Sequence, residues 1–213
     1  VSYYIGNGLQ EEYRKLMKTS MNILLMISIP AAIGMMCTSD ILILVFSGEE
    51  FLAGSLAAKI LSAKVIVSAV NRILAYQICI PFKKDKEVLI STVCGAVFNL
   101  FANALWISKY GVTGAAIATL FSEVIVFIVL TYYSNRVFKT RLLYTRAPLY
   151  FGASVWFFIV RFIMDKIFDQ ILLVLAGTVA VSALGYFVVL SIIRDPYMMG
   201  FLNRLLSRVK VKK

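Results

Sequence analysis

The apolar positions of this chain neither alternate nor trace one helix face; they fill long blocks at about 21–44, 54–81, 88–107, 112–133, 147–163 and 171–193. Each block is near the roughly 20 residues an α-helix needs to cross a hydrocarbon core. Transmembrane β-strands alternate over about ten residues, so these uniform runs exclude a barrel. The polar breaks are short: Ser47 to Glu50, Lys83 to Lys86 and Ser108 to Gly111, with longer ones near 134–146 and 164–170. The fifth block is the weakest, because Arg161 and Asp165 interrupt its end. The pattern predicts an all-α integral membrane bundle of about six transmembrane helices, in one domain.

Composition explains why lipid must be the solvent. The 213 residues are 61% apolar and 15% charged. Soluble domains run nearer 45–50% and about 25%. The formal charge of +11 matters through its placement. Alternate connections carry Arg14, Lys15, Lys18; Lys83, Lys84, Lys86; Arg136, Lys139, Arg141, Arg146; and Arg194, Arg204, Arg208, Lys210, Lys212, Lys213. The other connections carry Lys109, Arg161 and Lys166. The positive-inside rule then sets both ends on the cytoplasmic side of the cell membrane. The charge is a topology signal, and no nucleic-acid partner is expected. The domain organisation expected is a cytoplasmic juxtamembrane segment at 1–20, a six-helix transmembrane domain at 21–193 and a basic amphipathic cytoplasmic tail at 194–213. In that tail Phe201, Leu202, Leu205, Leu206 and Val209 share one face, suited to anionic lipid. The chain opens on Val1 with no cleavable signal pattern, which reads as a piece of a longer protein.

There is no histidine, which removes imidazole acid–base catalysis, the usual nucleophile dyads and most zinc sites. No catalytic residue, metal or cofactor is expected. Cys37, Cys79 and Cys94 all lie inside apolar runs and read as small core residues. Pro30 removes one backbone hydrogen bond from the first helix and predicts a kink.

Ionisable side chains at bilayer depth are costly and mark function. Arg72 falls near the middle of the second block and Glu123 near the middle of the fourth. Lys64, Ser68, Arg72 and Tyr76 recur every four residues, with Asn71 beside them and Ile66, Val70 and Ile73 opposite. Residues four apart share a helix face. Two readings stand: a cationic stripe facing a water-filled cavity, or an Arg72–Glu123 pair that holds two helices together. In the third block Ser91, Gly95, Asn99 and Asn103 repeat at the same spacing; in the fourth, Gly114, Ala118 and Ser122 do. Small residues allow close approach and the asparagine amides bond across it, predicting a tight helical hairpin turning at Tyr110-Gly111.

The words SIPAAIG (28–34), LVFSGEEF (44–51), IPFKKDKE (80–87) and NLFANALWISKYGVTGAAIATLFSE (99–123) follow one another in an order that resembles the C-terminal part of the polysaccharide flippases of O-antigen and capsule type. GNGLQEEYRKLMKTS (6–20) resembles the cytoplasmic link before that block. That family belongs to the superfamily that also holds the multidrug and toxin extrusion transporters and the lipid II flippase. The resemblance covers about 2–136; the last two helices agree only in number and hydropathy. It implies half of a two-lobed transporter, completed by an N-terminal lobe of the same protein. The implied function is translocation of a polyprenyl-pyrophosphate-linked oligosaccharide during cell-surface polysaccharide synthesis. The alternatives are a cation-coupled drug exporter, which needs deep acids, and a membrane transferase, which needs converging acids, histidine or metal. The substrate-binding set expected is Arg72, Lys64, Asn71, Ser68, Tyr76 and Glu123.

Overall fold

A computed structural model describes residues 10–200; they are almost entirely helical, with short turns between helices and no strand among them. Helix α1 spans Gln10–Ser47, α2 Ser55–Arg72, α3 Asp85–Asn135, α4 Ala147–Val155, α5 Phe157–Ile167 and α6 Ile171–Ile192. Five helical segments are long and apolar enough to cross a membrane, α4 and α5 joining at Trp156 into one of them.

The 51-residue α3 is two crossings, not one. Gly111 sits at φ 54° and ψ −133°, a backbone state that L side chains avoid, and the chain reverses there. Ser122 Oγ donates to the Gly95 carbonyl at 2.8 Å, 27 residues back along the chain. A Cβ on Gly95 would meet Val126 at 2.5 Å, and one on Gly114 would strike the Trp106 main chain. Trp106 stacks edge-on against both Phe98 and Phe121. The arms at 85–110 and 112–135 are each about 36–39 Å long at 1.5 Å per residue. Counting both, the bundle has the six crossings the hydropathy predicts.

Helix α1 is the spine. Tyr13, Met17, Met21, Leu25, Ile29, Ile33, Cys37 and Ile41 recur every four residues, and all are buried. Helix α2 packs along one side of α1, and α4, α5 and α6 along another. The α3 hairpin joins the bundle chiefly through α2. Helix α6 answers with its own row, Val174, Thr178, Ser182, Tyr186 and Leu190, and Tyr186 donates to the Met26 carbonyl at 2.8 Å. Gly185 lies against the Trp156 indole, where no larger residue fits.

Two expectations change in detail. Cys37 and Cys79 are buried, but Cys94, on the first arm of the hairpin, is exposed. Asn103 donates to Asn99 at 3.0 Å within one arm, so these amides do not bridge the hairpin; Ser122 and the glycines make that contact instead. Helix α1 runs through Pro30 without interruption. The tail expected to be amphipathic falls largely at 201–213, outside the described residues.

Candidate functional site: a polar cluster at bilayer depth

Helix α2 ends as a regular α-helix at Arg72 and continues as a π turn, Ile73–Cys79, before a 3-10 turn at Ile80–Phe82. π turns release backbone groups and recur at functional sites. Here Tyr13 of α1 donates to the Gln77 carbonyl at 2.7 Å, and the Cys79 thiol lies 3.3 Å from the Ser134 hydroxyl. The wider turn therefore follows directly after the residue that carries the deep positive charge.

The stripe divides in two. Positions four apart advance about 40° around a helix of 3.6 residues per turn, so a row of four such residues winds through about a third of the circumference. Asn71 is buried, and its side-chain amide donates twice to Glu123 of the hairpin: to Oε2 at 2.8 Å and to the main-chain carbonyl at 3.0 Å. Lys64 Nζ stands 3.8 Å from Glu123 Oε1. Ser68 lies between these levels, its Oγ buried and without a partner among the described residues. Arg72 and Tyr76 turn outward onto the exposed flank of α2, Tyr76 being 64% exposed. Val70 and Ile73, on the opposite side, lie in the core as their pattern implied.

The structure thus joins Lys64, Asn71 and Glu123 and leaves Arg72 apart. Among the described residues Arg72 has no ion pair, so the Arg72–Glu123 strut is absent; the acid is held by Asn71 and Lys64 instead. Chemically, the cluster keeps one mid-bilayer carboxylate compensated. Beside it stands a guanidinium whose planar fork of donors suits a phosphate.

Two further ion pairs escaped sequence reasoning because their partners are over a hundred or about fifty residues apart. Arg161 of α5 bonds Asp40 of α1 at 3.3 Å and also pairs with Asp165. Arg146 Nη1 bonds Asp195 Oδ2 at 2.7 Å, with Asp195 fully buried. Asp195 Oδ1 accepts from the Tyr197 and Met198 main-chain N–H groups, capping the helical residues 196–200. The Asp-Pro step at 195–196 was a readable signal of a helix start. Burial raises the Tyr197 hydroxyl above its ordinary pKa.

The fold and its charge placement define a helical multi-pass membrane protein. No family model and no solved structure matches the chain. It is similar to the probable low-salt glycan biosynthesis flippase Agl15 of Haloferax volcanii, 27% identical over 122 residues. That match covers 57% of this chain and 26% of the relative's length.

Proposed function

We propose that this chain is the C-terminal lobe of a flippase that moves a polyprenyl-pyrophosphate-linked oligosaccharide across the cytoplasmic membrane. The observation that carries this reading is Arg72: a guanidinium near the middle of its span, exposed, and without an ion pair among the described residues. An exposed cation at that depth needs water, a partner or an anionic ligand. Tyr76 shares its exposed flank, the Lys64, Asn71, Ser68 and Glu123 cluster lies behind that flank against the hairpin, and a π turn follows directly after Arg72. The similarity to a protein named as a probable glycan biosynthesis flippase supports the same class of cargo.

In this reading the N-terminal lobe of the same protein faces α2 across the cavity, and both ends of this chain lie in the cytoplasm. Residues 1–20 form the juxtamembrane link and 194–213 the basic tail. The protein moves its substrate without changing covalent bonds. A cation-coupled drug exporter would rely on Glu123 as its deep acid, and here Asn71 and Lys64 occupy that carboxylate.

The test is a charge series in the full-length protein. Arg72→Ala and Arg72→Glu should abolish surface polysaccharide while membrane expression and thermal stability stay unchanged. Restoration of export by Arg72→Glu combined with Glu123→Arg would make Arg72 a strut and overturn the cavity assignment.

A further inference from the structure

A groove runs along the opposite side of the bundle, lined by no residue of α2. Its deep part, about 460 Å³, lies between α1 and α6 around Pro30, Gly34 and Thr178. A second part, about 530 Å³, continues it past Ile23 and Tyr197; the two share Met26, Ile27 and Phe187 as walls. A third hollow of about 510 Å³ follows, sharing Pro196 and Tyr197 with the second and lined by Lys18 and Arg146. The surface is therefore continuous from an apolar channel at membrane depth to a cationic mouth at the end where α1 begins.

The mouth is built. Asn22, fully buried, donates to the Lys18 carbonyl at 2.7 Å and lies 3.4 Å from the Tyr197 hydroxyl. Arg146 spends Nη1 on Asp195 and also lines the hollow, its side chain being 36% exposed. Lys18 is exposed and has no ion pair among the described residues. Beyond it a neighbouring cavity adds Arg14, Lys15 and Lys139, together with Glu11 and Glu12. The channel below is apolar and open to the side: Ile27 is 61% and Phe187 45% exposed.

We propose that this groove holds one anionic phospholipid, its phosphate at Lys18 and Arg146 and one acyl chain along Ile23, Ile27 and Phe187. The charge at the mouth selects the headgroup. The two phosphate ligands come from the start of α1 and the start of α4; Arg146 ties the start of α4 to Asp195, and Asn22 ties the start of α1 to Tyr197. The lipid thus acts as a wedge between the first and last elements of the bundle. The depth selects the chain. Ile27 is nine residues past Lys18, about 14 Å along the helix, whereas Gly34 is about 24 Å along it. One leaflet of hydrocarbon is about 15 Å thick. A phospholipid chain entering at Lys18 fills the groove to Ile27 and leaves Gly34 to the other leaflet. This site stands apart from the Arg72 flank and does not depend on the flippase reading.

The experiment is intact-mass measurement of the purified full-length protein in mild detergent, titrated with phosphatidylglycerol or phosphatidylcholine. The wild type should retain phosphatidylglycerol several-fold better. Lys18→Glu should erase that preference, and Ile27→Trp should reduce retention of both lipids. Gly34→Leu should change nothing, since a Cβ there meets no atom within 4 Å and the chain stops short of it. Equal retention of the two lipids by the wild type, or an unchanged preference in Lys18→Glu, would overturn the headgroup assignment. Loss of retention in Gly34→Leu would replace the phospholipid by an occupant spanning both leaflets, such as a polyprenyl chain. A wild type that retains no lipid, as when residues 201–213 cover the groove, would overturn the proposal altogether.

Discussion

Asn71 and Glu123 are bonded twice across the α2–hairpin contact, once at the carboxylate and once at the main-chain carbonyl. The pair fixes both the position of α2 along the hairpin and the rotation of the mid-bilayer acid. Asn71→Leu removes both bonds and leaves Glu123 with Lys64 alone. The bond to the charged carboxylate is worth about 1.5–3 kcal/mol and the one to the neutral carbonyl about 0.5–1.5 kcal/mol, so a clear fall in the unfolding temperature of the purified protein is expected. Lys64→Met should cost less, because its ammonium stands farther off, at 3.8 Å. Equal stability of wild type and Asn71→Leu in a thermal-shift assay would show that the contact is dispensable.

The hairpin turn makes a second prediction. Gly111→Ala places a Cβ on a backbone with φ 54° and ψ −133°, at a cost of about 1–3 kcal/mol. Gly95→Leu drives a side chain into Val126 and Ser122 and should lower the yield of folded protein further. Gly34→Leu serves as the matched control on α1, because space is open there. Folded yield by size-exclusion chromatography should rank the control first, Gly111→Ala next and Gly95→Leu last.

At the far end of the bundle, Arg146→Met removes the ion-pair partner of a fully buried aspartate. Breaking a fully buried pair costs about 3–5 kcal/mol; the partial exposure of Arg146 sets this one nearer 2–3 kcal/mol. Adding Asp195→Asn should recover most of the loss, since the amide oxygen still accepts from the Tyr197 and Met198 N–H groups. A double variant as unstable as Arg146→Met would place the cost in packing and not in charge.

Topology is tested by single cysteines in a background with Cys37, Cys79 and Cys94 replaced by serine. A cysteine at Lys84 or Lys139 should react with an impermeant maleimide only after the membrane is opened, and one at Lys109 should react in intact cells. Labelling of Lys84 positions in intact cells would reverse the assigned orientation.

Much of this protein was legible from the order of its residues. Block length and hydropathy determined six crossings and an all-helical fold, because a backbone in lipid must satisfy its own hydrogen bonds within each span. The small residues at 95, 114 and 118 and the Gly111 turn announced the hairpin, since close approach and a positive φ each leave a mark on residue type. The candidate stripe was legible as a set of polar residues on one helix. Only the tertiary structure decided how that set divides. A spacing of four drifts around the helix, so which residues meet Glu123 and which face outward depends on how α2 is rotated against the hairpin, and that rotation is set by packing. For the same reason Asn71, and not Arg72, is the partner of Glu123. The Arg161–Asp40 and Arg146–Asp195 pairs, and the groove between α1 and α6, likewise arise from the lateral order of helices in the bundle. In a membrane every helix is apolar on most sides, so sequence pattern carries little information about which neighbour each face will meet.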